Sequence, residues 1–367
     1  MVRTLKERVS WIDIAKGLCI IFVVLGHVMS PGVIRTYVYS FHMPMFFLLG
    51  GICYKHKYSF KSFIIKRAKG ILIPYFVFSV ISILLFFVAA KIMPSISDVL
   101  NCDLKDNTLV MLYGNSKPDC MKYNSPLWFL PCYFLVVIEA FGIESLKQKV
   151  KFAYFREVAI VVNIIVATLL NLFLKLRLPF QLETSVSMLV WYELGVLAGE
   201  KLDNKKSISG KSRIITIVIT LACLVSGFVM GYINRRITGT SLQVREDIYG
   251  SFALYYFGAV AGIIGWCLVS RLICKSAVFE KLGQMSIAIL VLHKFPVLFF
   301  QEILPVTKKW LEKGDSLKGI VSGVFVTIIS IVASYIVGAL IVRFCPILLG
   351  RSMNKKGSGS IVQAVDK

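Results

Sequence analysis

The chain has 367 residues, of which 57% are hydrophobic and only 17% are charged, and its formal net charge is +22. Apolar content this high excludes an ordinary soluble domain and is typical of a helical membrane protein. The four histidines are scattered among separate segments, without the close ligand pairs of a zinc site, so we expect no bound metal.

Ten apolar stretches are long enough to cross a membrane. In chain order they are Ile12–Met29, Tyr37–Tyr54, Gly70–Met93, Pro126–Ile143, Val158–Leu174, Leu182–Gly199, Ile214–Ile233, Ile248–Val269, Gln284–Leu304 and Gly319–Ile341. The sequence therefore predicts an all-α, polytopic integral membrane protein with about ten transmembrane helices.

The basic residues are distributed unevenly between the predicted loops. With the N-terminus inside, most of the 42 lysines and arginines fall in cytoplasmic segments, and ten spans then put both termini in the cytoplasm. We therefore assign the positive charge to topology and to attraction by anionic membrane lipid, not to nucleic acid. Residues 1–350 are expected to form one membrane domain, and residues 351–367 a disordered cytoplasmic tail.

The longest predicted external loop, Pro94–Ser125, contains two cysteines. Cys102 and Cys120 can form a disulfide if that compartment is oxidising, and the sequence leaves both states open.

The first apolar stretch carries three ionisable residues, Asp13, Lys16 and His27. Each such group in a lipid-embedded helix costs about 3 kcal/mol or more and usually faces the protein interior. Eleven steps of 100° bring His27 back to within about 20° of the face of Lys16, at about 16 Å along the axis. The three residues therefore predict a polar lining on one side of this helix.

Several short motifs occur in a characteristic order. They are Trp11–Gly17, Val24–His27, Phe41–Phe47 with Gly50 and Gly51, Arg67–Tyr75, Pro126–Leu130 and Leu282–His293. Together they resemble acyltransferase family 3, and the fucose 4-O-acetylase-like branch in particular. The resemblance implies a multi-pass enzyme of the bacterial cytoplasmic membrane that transfers an acyl group, here expected to be acetyl, from acetyl-CoA to a cell-surface glycan or its lipid-linked precursor.

The two histidines of the first motifs fit this chemistry. Acyl transfer to a hydroxyl needs a base, and histidine has an unperturbed pKa near ~6.5. His27 ends an outward-running helix and His42 lies near the start of the next, so both are expected at the same outer level. We predict His27 as the general base and His42 as the residue that orients it or shares its proton. Asp13 and Lys16 complete the predicted catalytic group.

The donor and acceptor sites are predicted from charge and position. Lys16 occupies the family's cationic position, and Arg67 and Lys69 lie at the cytoplasmic mouth of the third span, where coenzyme A phosphates need cations. Trp128 is a candidate for stacking on the acceptor sugar, with an interfacial aromatic belt as the alternative. Glu193, inside the sixth span, is a second acceptor candidate.

The other two histidines are interpreted as structural residues. His293 is interpreted as a hydrogen-bonded residue of the bundle, and His56 as a loop residue.

The sequence leaves two classes of function open. The first is a membrane O-acyltransferase, alone or with a partner protein of a polysaccharide pathway. The second is a transporter or flippase of polysaccharide or its precursor, since buried histidine, lysine and aspartate also occur in proton-coupled carriers.

Overall fold

The computed structural model describes residues 9–94, 96, 100–115, 121–174, 177–201 and 210–352, which are predominantly helical. The helices are α1 (Ser10–Val28), α2 (Val33–Ile52), α3 (Phe60–Ile92), α4 (Leu104–Tyr113), α5 (Phe129–Val150), α6 (Phe155–Leu169), α7 (Leu182–Lys201), α8 (Gly210–Thr238), α9 (Phe252–Ile273), α10 (Ala277–Gln284), α11 (Ser286–Leu292), α12 (Lys294–Leu298), α13 (Pro305–Leu311) and α14 (Leu317–Phe344). The predicted all-α class is confirmed.

Eight helical segments of the described chain are long and apolar enough to cross a membrane. They are Ser10–Val28, Phe60–Ile92, Lys122–Val150, Phe155–Leu174, Ser212–Thr238, Phe252–Ile273, Ser286–Ile303 and Leu317–Phe344. The prediction of a multi-pass membrane protein is confirmed by these eight.

The other two predicted spans are α2 and α7, helices of 20 residues each that carry more polar side chains. They pack so closely that the backbone carbonyl of Tyr192 contacts Gly51, and the backbone carbonyl of Leu48 contacts Gly195. A side chain at either glycine would collide with the facing helix, so small residues are needed here, as in other close helix pairs in membranes. Nearly all residues of both helices are buried or half-buried, so the pair lies in the interior of the bundle.

Helix α1 is also held in the interior. Gly17 of α1 lies on the carbonyl of Phe279 in α10, and Gly283 of α10 lies on the carbonyl of Asp13. Helix α1 also contacts α2, α9 and α14. The two helices that carry His27 and His42 are therefore central, while α6, α8 and α14 turn rows of exposed apolar side chains outward, as lipid-facing helices do.

The predicted span Gln284–Leu304 is not one regular helix. It is divided into α11 and α12 at His293 and ends in a π-helical turn at Phe299–Ile303. Pro296 has no amide hydrogen to donate to a carbonyl one turn earlier, which explains the break.

The predicted external loop Pro94–Ser125 also differs from expectation, since it contains α4 and the start of a 3-10 segment, Lys122–Trp128. Asp103 caps α4 by accepting a hydrogen bond from the Asp106 amide. Cys120, and with it the possible disulfide to Cys102, lies outside the described residues, as do residues 353–367 of the predicted tail.

Candidate active site

A cavity of about 430 Å³ opens at the C-terminal end of α1 and the N-terminal half of α2. Its walls come from distant parts of the sequence. The lining residues are His27, Met29, Ser30, Pro31, Arg35, Tyr39, His42, Met43, Ser125, Trp128, Gln243, Val244, Arg245, Lys294, Gln301, Glu302, Lys308, Leu311 and Glu312. Both predicted catalytic histidines therefore line one cavity.

His27 lies in the last turn of α1 and is half-buried. Its ring centroid is 6.5 Å from that of Tyr39 and 5.4 Å from that of His293. The Gln301 amide donates to the carbonyls of His27 and Val28, at 3.0 Å and 3.1 Å. These two bonds satisfy carbonyls that the end of a helix leaves without an intrahelical partner, and so fix the turn that carries His27.

His42 is buried in α2, and its Nδ1 lies 2.7 Å from the carbonyl oxygen of Val38. A carbonyl can only accept, so Nδ1 must carry the hydrogen of this bond. In the neutral ring, Nε2 then has a free lone pair. The ring of Tyr39 lies near both histidines, with its centroid 6.5 Å from that of His27 and 5.1 Å from that of His42.

The cavity is rich in positive charge. Arg35 places its guanidinium carbon 4.8 Å from the ring centroid of Tyr39, and Lys308 pairs with Glu302 at 3.1 Å. Arg245 projects from the loop between α8 and α9, and burial lowers the pKa of its guanidinium, an effect that Glu246 opposes. Lys294, the first residue of α12, is only 7% exposed.

The two predicted acceptor residues have different surroundings. Trp128, at the end of the 3-10 segment before α5, is 9% exposed and lines the cavity beside Ser125. Glu193 does not line it. Its carboxylate pairs with Arg156, which also pairs with Glu144, and both members of the Arg156–Glu193 pair are 1% exposed. The structure therefore places Glu193 away from the cavity, paired inside the bundle with Arg156 of α6.

Asp13 and Lys16 lie at the opposite end of α1 and do not line the cavity. Lys16 donates from Nζ to Sγ of Cys53, at 3.5 Å, at the end of α2. Asp13 accepts a hydrogen bond of 3.2 Å from the amide of Gln284. The structure thus separates these two residues from the histidines with which the sequence grouped them.

A second group of polar residues surrounds Lys16. The guanidinium carbon of Arg67 lies 5.2 Å from the ring centroid of Phe63, and that ring lies 6.3 Å from the ring of Tyr54, the residue after Cys53. The side chain of Arg67 therefore lies at the same end of the bundle as Lys16. Lys69 is exposed and forms no part of this group. Two of the three predicted donor-binding residues, Lys16 and Arg67, are therefore brought together at the end of the bundle away from the cavity.

The described residues contain no group of three histidine, cysteine, aspartate or glutamate side chains arranged to hold a metal ion. The cavity offers two imidazoles, a phenol, an indole, several cations and the carboxylates of Glu302 and Glu312. Such a set can accept and return a proton and can hold a polar, negatively charged molecule.

The model of the acyltransferase domain of acyltransferase family 3 matches residues 9–339, which include every helix of the cavity. The chain belongs to this family. It is therefore a membrane-embedded acyltransferase that uses an acyl donor and an acceptor. Neither the comparison with curated proteins nor that with solved structures gives a match. The family assignment selects the enzyme over the transporter among the two classes that the sequence left open.

Sequence reasoning missed part of the cavity. His293, interpreted as a bundle residue, has its ring beside His27, and Lys294 next to it lines the wall. Two adjacent ionisable residues inside an apolar stretch are the same signal that identified His27. Arg245 gave no such signal, because a single arginine in a polar loop is unremarkable without the fold.

Proposed function

We propose that this protein is an O-acyltransferase that moves an acyl group, in the simplest case acetyl, from cytoplasmic acyl-CoA to a hydroxyl of a cell-surface or exported glycan. The observation that carries this proposal is the pair of histidines lining one cavity at the end of α1 opposite the Lys16 and Arg67 group. The fucose 4-O-acetylase-like branch that the sequence resembles fits a sugar acceptor.

His27 acts as the general base in the proposed reaction. It removes the proton from the acceptor hydroxyl, whose oxygen attacks the thioester carbonyl and forms the new ester bond. The carbon–sulfur bond then breaks, and the coenzyme A sulfur takes the proton back from the imidazolium. His42, with Nδ1 held by Val38, presents Nε2 as the second proton acceptor and shares the proton with His27.

The donor is proposed to enter from the Lys16 end. Coenzyme A phosphates need cations, and Lys16 and Arg67 both lie at that end of the bundle. His27 follows Lys16 by eleven positions on the same helix, a rise of about 16 Å that the pantetheine arm of the donor has to bridge. Trp128 is proposed to stack on the acceptor sugar from the cavity wall.

The membrane orientation follows from charge. We propose that α2 and α7 complete a set of ten membrane helices, with both termini in the cytoplasm, because most basic residues then lie on the cytoplasmic side. The cavity then faces the outside of a bacterial cytoplasmic membrane, where an exported glycan is available. A polysaccharide-pathway partner that presents this glycan is compatible with the arrangement.

The test is transfer of label from radiolabelled acetyl-CoA by the purified chain in sealed vesicles, with glycan extract on the opposite face. We expect His27→Ala to lower the rate of label transfer by about 10²–10⁴-fold, the usual contribution of a general base. The variant should remain folded, because Gln301 bonds to the backbone carbonyl of His27 and not to its ring.

The matched control is His56→Ala. The His56 ring packs on Phe141, with centroids 4.5 Å apart, and lies outside the cavity, so this variant should keep its transfer rate. A fully active His27→Ala protein would remove the proposed mechanism. Absence of label in glycan, with glycan nevertheless crossing the vesicle wall, would overturn the proposed reaction.

A further inference from the structure

Lys294 is an unusual lysine. It is 7% exposed, it lines the cavity, and among the described residues it has no hydrogen-bond partner and no carboxylate within ion-pair distance. A buried charge in a membrane protein that is not paired within the protein is costly, and such residues mark a binding or transport site.

Two arginines lie near this lysine. The Arg245 Nε is buried without a hydrogen-bond partner in the described chain, and Arg35 contacts the Tyr39 ring without a carboxylate partner there. Both arginines line the same cavity as Lys294, so three cations face one space. The three cations are brought together from α2, the α8–α9 loop and α12, and we refer to them as the cation cluster.

Acidic residues of the cavity compensate the cluster only in part. Glu302 attracts Lys294 but is bound by Lys308 at 3.1 Å. Glu312 is exposed at the rim. Three like charges in a low-dielectric cavity repel each other, and an anion that enters is attracted by all three.

We propose that the cation cluster binds an oxyanion, a phosphate or carboxylate carried by the acyl acceptor close to the hydroxyl that receives the acyl group. The acceptor part of this inference rests on the function proposed above. Arginine presents a planar fork that fits both kinds of oxyanion, and lysine adds a point charge. Lys16 and Arg67 lie toward the opposite end of α1, where they are available to the donor phosphates. The acceptor is therefore the substrate that remains for the cation cluster.

The experiment measures thermal unfolding of the purified full-length chain in detergent at constant ionic strength. The probes are glucose, glucose 1-phosphate and glucuronate, which differ in the absence, type and position of an anionic group, together with coenzyme A. We expect the two anionic sugars to raise the unfolding temperature of the wild type and glucose to leave it unchanged. A larger shift with one of them identifies the preferred oxyanion.

Lys294→Met is the informative variant. Removing a buried charge without a partner should raise the unfolding temperature without ligand, and should abolish most of the shift caused by anionic sugars. If this variant does not fold, Arg35→Gln, at a half-buried position, takes its place for the sugar shift. The control is Arg236→Gln, an exposed arginine packed on Tyr232, which should change neither quantity.

Three results would overturn the proposal. They are an equal shift with glucose, an unchanged anion shift in Lys294→Met, and a Lys294-dependent shift with coenzyme A alone, which would make the cluster a donor site. The unfolding assay needs no acyl transfer, so its outcome is independent of the transfer assay. If anionic sugars bind and the vesicles show no transfer, the acceptor role fails while the oxyanion site remains.

Discussion

Glu193→Gln tests whether Glu193 is a structural residue or a substrate ligand. In the structure its carboxylate is paired with Arg156, and both side chains are 1% exposed. Glutamine keeps the size of glutamate and removes its charge. We therefore expect the substitution to destabilise the bundle and to leave the affinity for the acceptor unchanged.

The size of the effect follows from the partners that remain. Breaking a buried ion pair by removing one member costs about 3–5 kcal/mol, because the other charge is left uncompensated. Arg156 keeps Glu144 as a partner, and the carboxylate of Glu200 lies 3.5 Å away. The loss should therefore lie near the lower end, at about 3 kcal/mol. Glu200→Gln, at an exposed position on the same helix, should cost less than about 1 kcal/mol.

The first assay measures the thermal unfolding of the purified variants in detergent. The second measures, well below the unfolding temperature, the acceptor concentration that gives half-maximal transfer. The double variant Arg156→Met with Glu193→Leu should recover most of the stability, since apolar residues of similar size can replace a buried pair. A Glu193→Gln protein of wild-type stability with weakened acceptor binding would refute this reasoning and return Glu193 to the acceptor site.

Two further substitutions address the two ends of the central helices. Lys16→Met should raise the KM for acyl-CoA more than that for the acceptor in the vesicle assay, and an unchanged donor KM would assign donor binding elsewhere. His42→Asn places an amide where Nδ1 donates to Val38, but supplies no base at Nε2. We expect a stable protein with kcat lowered by about 10²-fold or more, whereas wild-type kcat would make His42 a purely structural residue.

Local patterns in the sequence predicted much of this fold. Apolar length predicted the helices, and the turn around Pro31 and Gly32 predicted that His27 and His42 lie at the same level. Both do line one cavity. The prediction succeeded because the two residues are separated by only one tight connection, so their relation depends on local geometry and on little else.

Longer-range relations were beyond the sequence. Helical periodicity predicts one continuous polar lining from Asp13, Lys16 and His27, but it gives only a direction around the axis and says nothing of what packs at each depth. At the Asp13 level that neighbour is Gln284 of α10, and at the Lys16 level it is Cys53 of α2. Only the packed bundle determines where the polar stripe meets open space.

Buried charge alone therefore does not identify the functional residues of this bundle. Arg156 and Glu193 are as deeply buried as any ionisable pair described. Each is the other's ion-pair partner, so their interaction contributes to the stability of the fold. Lys294 is also buried, but no carboxylate of the described chain lies within ion-pair distance of it, and it faces a cavity. A negatively charged ligand can therefore gain binding free energy from Lys294, whereas it gains none from the paired Arg156 and Glu193. The lack of a partner within the described chain, more than burial, is thus the property on which we propose Lys294 for binding and Glu193 for stability.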